Sequence, residues 1–497
     1  MRKATAFTGL GSLASGAVTA IALAVQSGLA AVVGVIIARE LGRTAETDGF
    51  FAAYAVFIVL ALAATAIRLV VLPPLARARA DRRLGQETAA WALALAVLAL
   101  PAVVLAAAAA RPVAALLTGF GPAEARDAAE KVLPLMVLAA AAQLYAGLAA
   151  SALAALDDYL TSAIAYILGS AVGLGYILVR IDEDGIRAVA IGMALNGLIA
   201  VGLSTLALVR RAHAEAMPRT AVRPTGAPIP ERLVEAGRSA ALPLAMQAVY
   251  LISLPFAARE GVGSVTSFGY AYLAGAALVA VTSSSLGLVT SVPLARIGLD
   301  ASGVARHVVS SSWLALVAVG AAAGVFAVAG TSLVGPVLGG SYLADVGDQL
   351  GHLIAFLSPW MAASIGFSVT LPLLFVQGRT RGLLLGSLAV VVLHVPLAWL
   401  GQTVGGLDGL ALALAATTVA TLALMLGRLH AAVPTLTALG RAATTVGVVA
   451  TVTFLVPALV VRPGLAAAAG LVAYIAVLAA LRPAGLSGSW HYLRELA

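Results

Sequence analysis

The stretch "VLPPLARARADRR" (Val71–Arg83) closes one long apolar run, and "TSVPLARIGLD" (Thr290–Asp300) closes another. The tetrapeptide Pro-Leu-Ala-Arg stands at Pro74–Arg77 and again at Pro293–Arg296, an offset of 219 residues. Two further landmarks keep nearly the same offset. Ala38-Arg39-Glu40 returns as Ala258-Arg259-Glu260 after 220 residues, and the pair Asp184-Gly185 returns as Asp408-Gly409 after 224. Three landmarks in order at one spacing point to an internal duplication, the feature that decides the architecture of the whole chain. In each copy proline is expected to end the apolar helix, with the arginine holding that end at a polar surface.

What is duplicated follows from composition. Of the 497 residues 61% are hydrophobic and only 10% charged, against about 25% charged in a soluble domain, and the mean hydropathy is +1.03. The apolar runs are long enough to cross a hydrocarbon core of about 30 Å as helices, and lipid leaves the backbone no partner outside its own segment. The alternating short segments of a membrane β-barrel are absent. The N-terminal run 14–38 is too long for a signal-peptide core and reads as the first membrane helix. With no cysteine, disulfides and thiolate metal sites are excluded. The formal charge of +8 is read as loop arginine in a membrane protein, so no nucleic-acid partner is implied.

The pattern predicts an all-α integral membrane protein of fourteen transmembrane helices. Two parallel six-helix lobes are followed by two extra C-terminal helices. The divisions are 1–211 for the N-lobe, 212–234 for an extended proline-containing linker, 235–430 for the C-lobe, and 431–497 for the last two helices and a short tail. An even number of spans per copy inserts both lobes in the same orientation, with substrate expected between them and transport by rocking. With the N-terminus inside, 20 of the 30 Lys and Arg fall on the inner side and 9 on the outer, with Arg68 within a span. That bias places both termini in the cytoplasm of a bacterial inner membrane.

The stretch "ARELGRTAETDGFFAAY…LPPLA" then carries a resemblance. Ala38–Gly42, Asp48–Phe51 and Leu72–Leu75 are similar to the opening motifs of MviN/MurJ-type lipid II flippases, within the multidrug/oligosaccharidyl-lipid/polysaccharide exporter superfamily. "GSVTSFGYAYLAGAALVAVTSSSLGLVTSVPLA" from Gly263 resembles the second-lobe counterpart, and "GGLDGLALA" from Gly405 the start of helix 12. The resemblance implies two six-helix lobes around a cavity for a lipid-linked sugar pyrophosphate. It also implies a groove from helices 13 and 14 for the lipid tail, and alternating access without covalent chemistry or cofactor. The chain departs from that family where its arginines belong. Gln26–Ile37 is uncharged, helix 2 reads "VLALAATAI" at Val59–Ile67, and Tyr270-Ala271 is followed by Tyr272-Leu273. The resemblance therefore implies the scaffold and leaves the substrate open.

Several residues stand out as candidates. Arg68 is the one clear charge inside a span. Such a residue either faces a cavity as an anion site or snorkels to the headgroups. Gln26, Gln247 and Ser284, with the neighbouring hydroxyls of Thr282–Ser285, can bind sugar or bond across helices. Tyr270 can stack on a sugar ring or anchor at the interface. Asp48, with Arg39 or Arg43, is expected at a gate, the alternative being an acid favoured by the helix dipole. The six histidines show no i, i+3 or i, i+4 pairing, so no metal site and no catalytic residue is expected. The expected partners are a lipid-linked sugar, anionic lipids at the arginine-rich loops and cell-envelope synthesis proteins. A MATE-like antiporter of small molecules would want a carboxylate in the cavity. A membrane glycosyltransferase would want catalytic carboxylates on a large outer loop. A non-transporting scaffold would have kept the fold and lost the cavity charges.

Overall fold

The computed structural model describes residues 25–26, 28–214, 228–284, 300–343, 345–379, 381–481, 483, 485–489 and 492. Among these the chain is helical throughout, with no strand. Twelve helices are long and apolar enough to cross a membrane, as expected of a multi-pass membrane protein. The chain divides into two compact units, Met1–Leu251 and Ile252–Ala497, and the division falls within one helix. The Pro-Leu-Ala-Arg copy at Pro293–Arg296 lies outside the described residues, as does most of the linker.

In the first unit, α1 is described over 25–41 and finishes in a π-helical turn, Ile37–Leu41. Gly42, with φ 67°, turns the chain into α2 (Ala45–Ala80). Thr44 caps α2 in a reciprocal box: Thr47 N donates to Thr44 Oγ1 (3.3 Å) and Thr44 N donates to Thr47 Oγ1 (2.9 Å). Then come α3 (Leu84–Ala108), α4 (Ala110–Leu117), α5 (Ala123–Ala155), α6 (Tyr159–Asp184), α7 (Ile186–Ala214) and α8 (Ile229–Ala257). The centre of the unit is α5, whose alanine-rich face is buried against α2, α3 and α7. Small residues set these distances, since packing rather than hydrophobicity drives association in lipid. Gly49 on α2 lies against the Ala125 carbonyl, and Gly197 on α7 against Ala142.

Two expectations are corrected here. The prolines do not end α2, which passes through Pro73 and Pro74 to Ala80. Its packing along α5 outweighs the hydrogen bonds that two prolines remove. The stop is a left-handed Arg82 (φ 57°) with Arg83 N donating to Ala78 O (2.7 Å), a Schellman closure. The linker is also shorter than 212–234, because α7 runs to Ala214 and α8 begins at Ile229.

The second unit continues with a 3₁₀ turn, Ala258–Glu260, and α9 (Ser264–Val279), which runs into a second π-helical turn, Ala280–Ser284. It is completed by α10 (Ala301–Leu338), α11 (Asp345–Phe356), α12 (Ser358–Val376), α13 (Leu383–Arg428), α14 (Ala432–Ala458) and α15 (Pro463–Leu481). The span expected at 351–376 is broken at Leu357, where Pro359 opens α12.

The 46 residues of α13 are not one rod. His394 Nδ1 lies 2.9 Å from Thr417 Oγ1, whereas 23 residues of straight helix would separate them by about 35 Å. Gly401 and Gly409 meet backbone to backbone. The reversal is at Gly405 (φ −140°, ψ 18°) and Gly406 (φ 56°, ψ −133°), so α13 is a hairpin of two antiparallel arms. The expected helices 382–401 and 408–427 are these arms. The remaining difference from fourteen is α1, whose first part lies outside the described residues.

Backbone geometry repeats across the units. Gly185 between α6 and α7 has φ 53° and ψ −130°, nearly the values of Gly406. Asp157 (φ 61°) and Gly378 (φ 64°) close α5 and α12, and Gly42 and Gly261 follow the two Ala-Arg-Glu copies. Their offsets are 221, 221 and 219 residues, which adjusts the sequence alignment. The counterpart of Gly185 is Gly406, not Gly409, so the two Asp-Gly pairs are not equivalent. Outside the repeat, α14 and α15 dock on α10. Gly324 of α10 and Gly470 of α15 both receive Phe454, and Tyr474 Oη donates to Val317 O (3.0 Å).

Candidate functional site

Arg68 sits on the second half of α2. Its aliphatic stem lies over Gly147 of α5, where an added Cβ would stand 3.4 Å from Arg68 Cγ and Cδ. Its guanidinium is exposed and acts electrostatically on the phenol of Tyr166 from α6. Among the described residues it has no hydrogen-bond or ion-pair partner. An uncompensated guanidinium within a span costs several kcal/mol unless an anion or water meets it. This spot therefore has the chemistry to hold a phosphate-like group, with a phenol beside it and a glycine giving room.

The arginine-rich end of α2 is locked elsewhere. Arg79 Nη1 donates to Ala155 O (2.8 Å) and pairs with Asp157 (2.6 Å), both in the turn after α5. Asp158 caps α6, accepting from Thr161 N (3.1 Å) and Thr161 Oγ1 (2.8 Å), and pairs with Arg211 of α7 (2.8 Å). These arginines are satisfied; Arg68 is not.

The other candidates fall into separate places. Asp48 is buried in the first turn of α2, where the dipole favours an acid. Arg39 is exposed on the π-helical turn that precedes it. Asp48 and Arg68 are 20 residues apart on one helix, about 30 Å, so the gate pair and Arg68 are not one site. Gln26 and Gln247 are half-buried on α1 and α8 of the first unit. Tyr270 belongs to the second unit and packs edge-to-face on Tyr342 at 5.7 Å. The backbone of Ser284 closes the π-helical turn after α9.

Two constellations escaped sequence reasoning. At the start of α8, Arg232 is forked on Glu87 of α3: Nη1 bonds Oε1 and Nη2 bonds Oε2 at 2.9 Å. Trp91 donates its indole N–H to the same Glu87 (3.1 Å), and the guanidinium lies 5.2 Å from the ring centre. The i, i+4 relation of Glu87 to Trp91 was legible, but nothing local marked Arg232. In the second unit, fully buried His394 joins Ser253 of α8 and Thr417 of the returning arm, each at 2.9 Å. Its partners are 141 and 23 residues away, which hid it.

No protein-family model matches the chain, and no curated protein matches it by sequence. Solved structures do match in fold. The lipid II flippase MurJ in an inward closed conformation aligns at TM-score 0.72 and 14% identity, covering 96% of this chain and 99% of that one. An inward-facing multidrug resistance MATE family transporter of the MOP superfamily aligns at 0.61 and 14% identity, covering 86% and 99%. A MATE protein in the bent conformation gives 0.51 and 17% identity over 86% and 95%. The duplicated helical units, the α6–α7 and α13 hairpins and the helices α14 and α15 together build, in this chain, the fold shared by MurJ and the MATE transporters.

Proposed function

We propose that the chain is an alternating-access transporter of the multidrug/oligosaccharidyl-lipid/polysaccharide exporter superfamily. Its cargo is a lipid-linked glycan precursor, lipid II-like or another polyprenyl-linked sugar, carried across the bacterial inner membrane. The fold shared with MurJ supports the scaffold. The observation that carries the substrate class is Arg68, an uncompensated guanidinium within a span beside a phenol. A pyrophosphate offers that group the charge-assisted hydrogen bonds it lacks within the protein. Gln26 and Gln247 are the candidate sugar-facing amides, Tyr270 and Ser284 their second-unit counterparts, and Arg39 with Asp48 the gate. Transport of this kind makes and breaks no covalent bond, so the chain acts as a transporter and not as an enzyme.

The test is depletion in the native host. Loss of the protein is expected to accumulate lipid-linked precursor on the cytoplasmic side, and a plasmid copy carrying Arg68→Ala is expected not to relieve it. Unchanged precursor pools on depletion would refute the reading. A MATE-like antiporter is the second reading, favoured by the TM-score of 0.61. It would leave precursor pools normal and sensitise cells to cationic compounds.

A further inference from the structure

We infer that His394 is a proton-binding site that joins α8 to the α13 hairpin and releases them when charged. Its side chain is fully buried and is held on both ring nitrogens by hydroxyls from other segments, Ser253 Oγ at Nε2 and Thr417 Oγ1 at Nδ1, each at 2.9 Å. The direction of one bond is fixed by proton count. Thr417 Oγ1 gives its only hydrogen to Ala413 O (2.9 Å), so it can only accept from the imidazole, and Nδ1 carries the N–H. In the neutral ring Nε2 is then an acceptor for the Ser253 hydroxyl. A proton taken from water onto Nε2 turns that nitrogen into a donor. Ser253 must rotate its own O–H away, and a full positive charge appears in a site closed to solvent.

That charge has no counter-ion at its level. Along α8 the nearest carboxylate is Glu260, seven residues beyond Ser253, and on the returning arm Asp408 stands nine residues before Thr417. These are separations of about 10 Å and 13 Å along the helices. Glu260 is itself engaged by Gln402 (2.8 Å), and Asp408 faces His352 of α11 (3.7 Å) at the glycine turn. The same helix α11 carries Asp345 and Asp348. The packed helix α12 has no titratable residue, and Arg428 and Arg441 belong to the far end of the hairpin and to α14. The other ionisable group near this level of α8 is the phenol of buried Tyr250. An imidazolium here is costly while the helices stay packed. Exposed to water it charges near pH 6.5 like any histidine. Proton binding and separation of α8 from the hairpin are therefore linked, and each favours the other.

The site stands apart from Arg68 and is defined without reference to transport. That it lets a proton gradient drive a transport cycle rests on the reading proposed above. The experiment uses the full chain in lipid nanodiscs and needs no substrate. Hydrogen–deuterium exchange of Val249–Ala257 and Leu410–Thr421 is followed at pH 7.5 and 5.5, corrected for intrinsic rate. Exchange of both segments is expected to rise several-fold on acidification in the unaltered protein and to stay flat in His394→Gln, which keeps a donor and an acceptor. Nitrogen-15 spectra of the unaltered, histidine-labelled chain provide a readout that survives a misfolded variant. They are expected to show one buried imidazole protonated only at Nδ1 at pH 7.5 and at both nitrogens at pH 5.5. Exchange that does not change with pH, or an equal pH response in a folded His394→Gln, would overturn the inference, as would a buried ring that stays neutral at pH 5.5.

Discussion

Arg232 enters α8 with its side chain only 3% exposed and forked on a Glu87 that is 16% exposed. Removing one partner of a buried pair leaves the other charge stranded, at a cost of about 3–5 kcal/mol. Glu87→Ala is therefore expected to lower unfolding stability in detergent by that amount. The double variant Glu87→Leu/Arg232→Met should recover most of it, because the pair is replaced rather than broken. Unfolding midpoints for the single and double variants check this. Arg68 behaves differently, since it has no internal partner to lose. Arg68→Ala should leave stability nearly unchanged while weakening binding of a polyprenyl pyrophosphate by roughly ten- to a hundred-fold, equivalent to a charged hydrogen bond of about 1.5–3 kcal/mol. Binding measured alongside melting separates the two effects. At this scale the sequence marks what is locally odd: a lone arginine inside an apolar run is visible, and so is an acid at a helix start. It could not mark His394 or Arg232, because each takes its meaning from residues that only the fold brings near.

At the scale of single elements, backbone geometry decides where helices end and turn. Proline was read as a stop at Pro73-Pro74, yet α2 continues to Ala80, and the stop lies in the left-handed Arg82. The glycines of α13 had the opposite fate. Read as part of an Asp-Gly repeat, they prove to be a reversal in which Gly401 and Gly409 touch. A Cβ at Gly409 would run into the Gly401 carbonyl, so Gly409→Ala should cost about 1–3 kcal/mol, and Gly409→Val more. Gly405→Ala, whose added Cβ meets nothing, is the control. The start of α10 makes a pH-dependent prediction. Asp300 accepts from Gly303 N (2.8 Å) and from Ser302 Oγ (2.9 Å). The Gly303 bond first, then that from Ser302, holds its carboxyl below the usual carboxylate range. A depressed folded value means that this cap stabilises fully above about pH 4 and is lost as pH falls through the lower folded value. Asp300→Asn should flatten the acid limb of the α10 exchange profile and leave it unchanged near neutrality.

For the molecule as a whole, duplication was the most legible property because it recurs in sequence at a nearly constant offset, and the backbone turns at Gly42 and Gly261, Asp157 and Gly378, and Gly185 and Gly406 carry the same spacing. The number of apolar helices could be counted from hydropathy, save where two arms join at glycines that permit either a straight or a reversed path. The candidate site was less legible. A composition shared by all helices gives no information on which polar residues share a space, and the chain lacks the charged motifs that name a substrate in the family it resembles. What remains is a specific claim: Arg68 holds the anionic head of a lipid-linked sugar while the protein moves it between leaflets. The most direct measurement is reconstitution into vesicles bearing a fluorescent polyprenyl-pyrophosphate-linked sugar in both leaflets, with a membrane-impermeant quencher added outside. The account predicts that the unaltered protein makes the inner-leaflet pool reachable by quencher and that a folded Arg68→Ala does not. An inner pool that stays protected in the presence of the unaltered protein, as in protein-free vesicles, would contradict it.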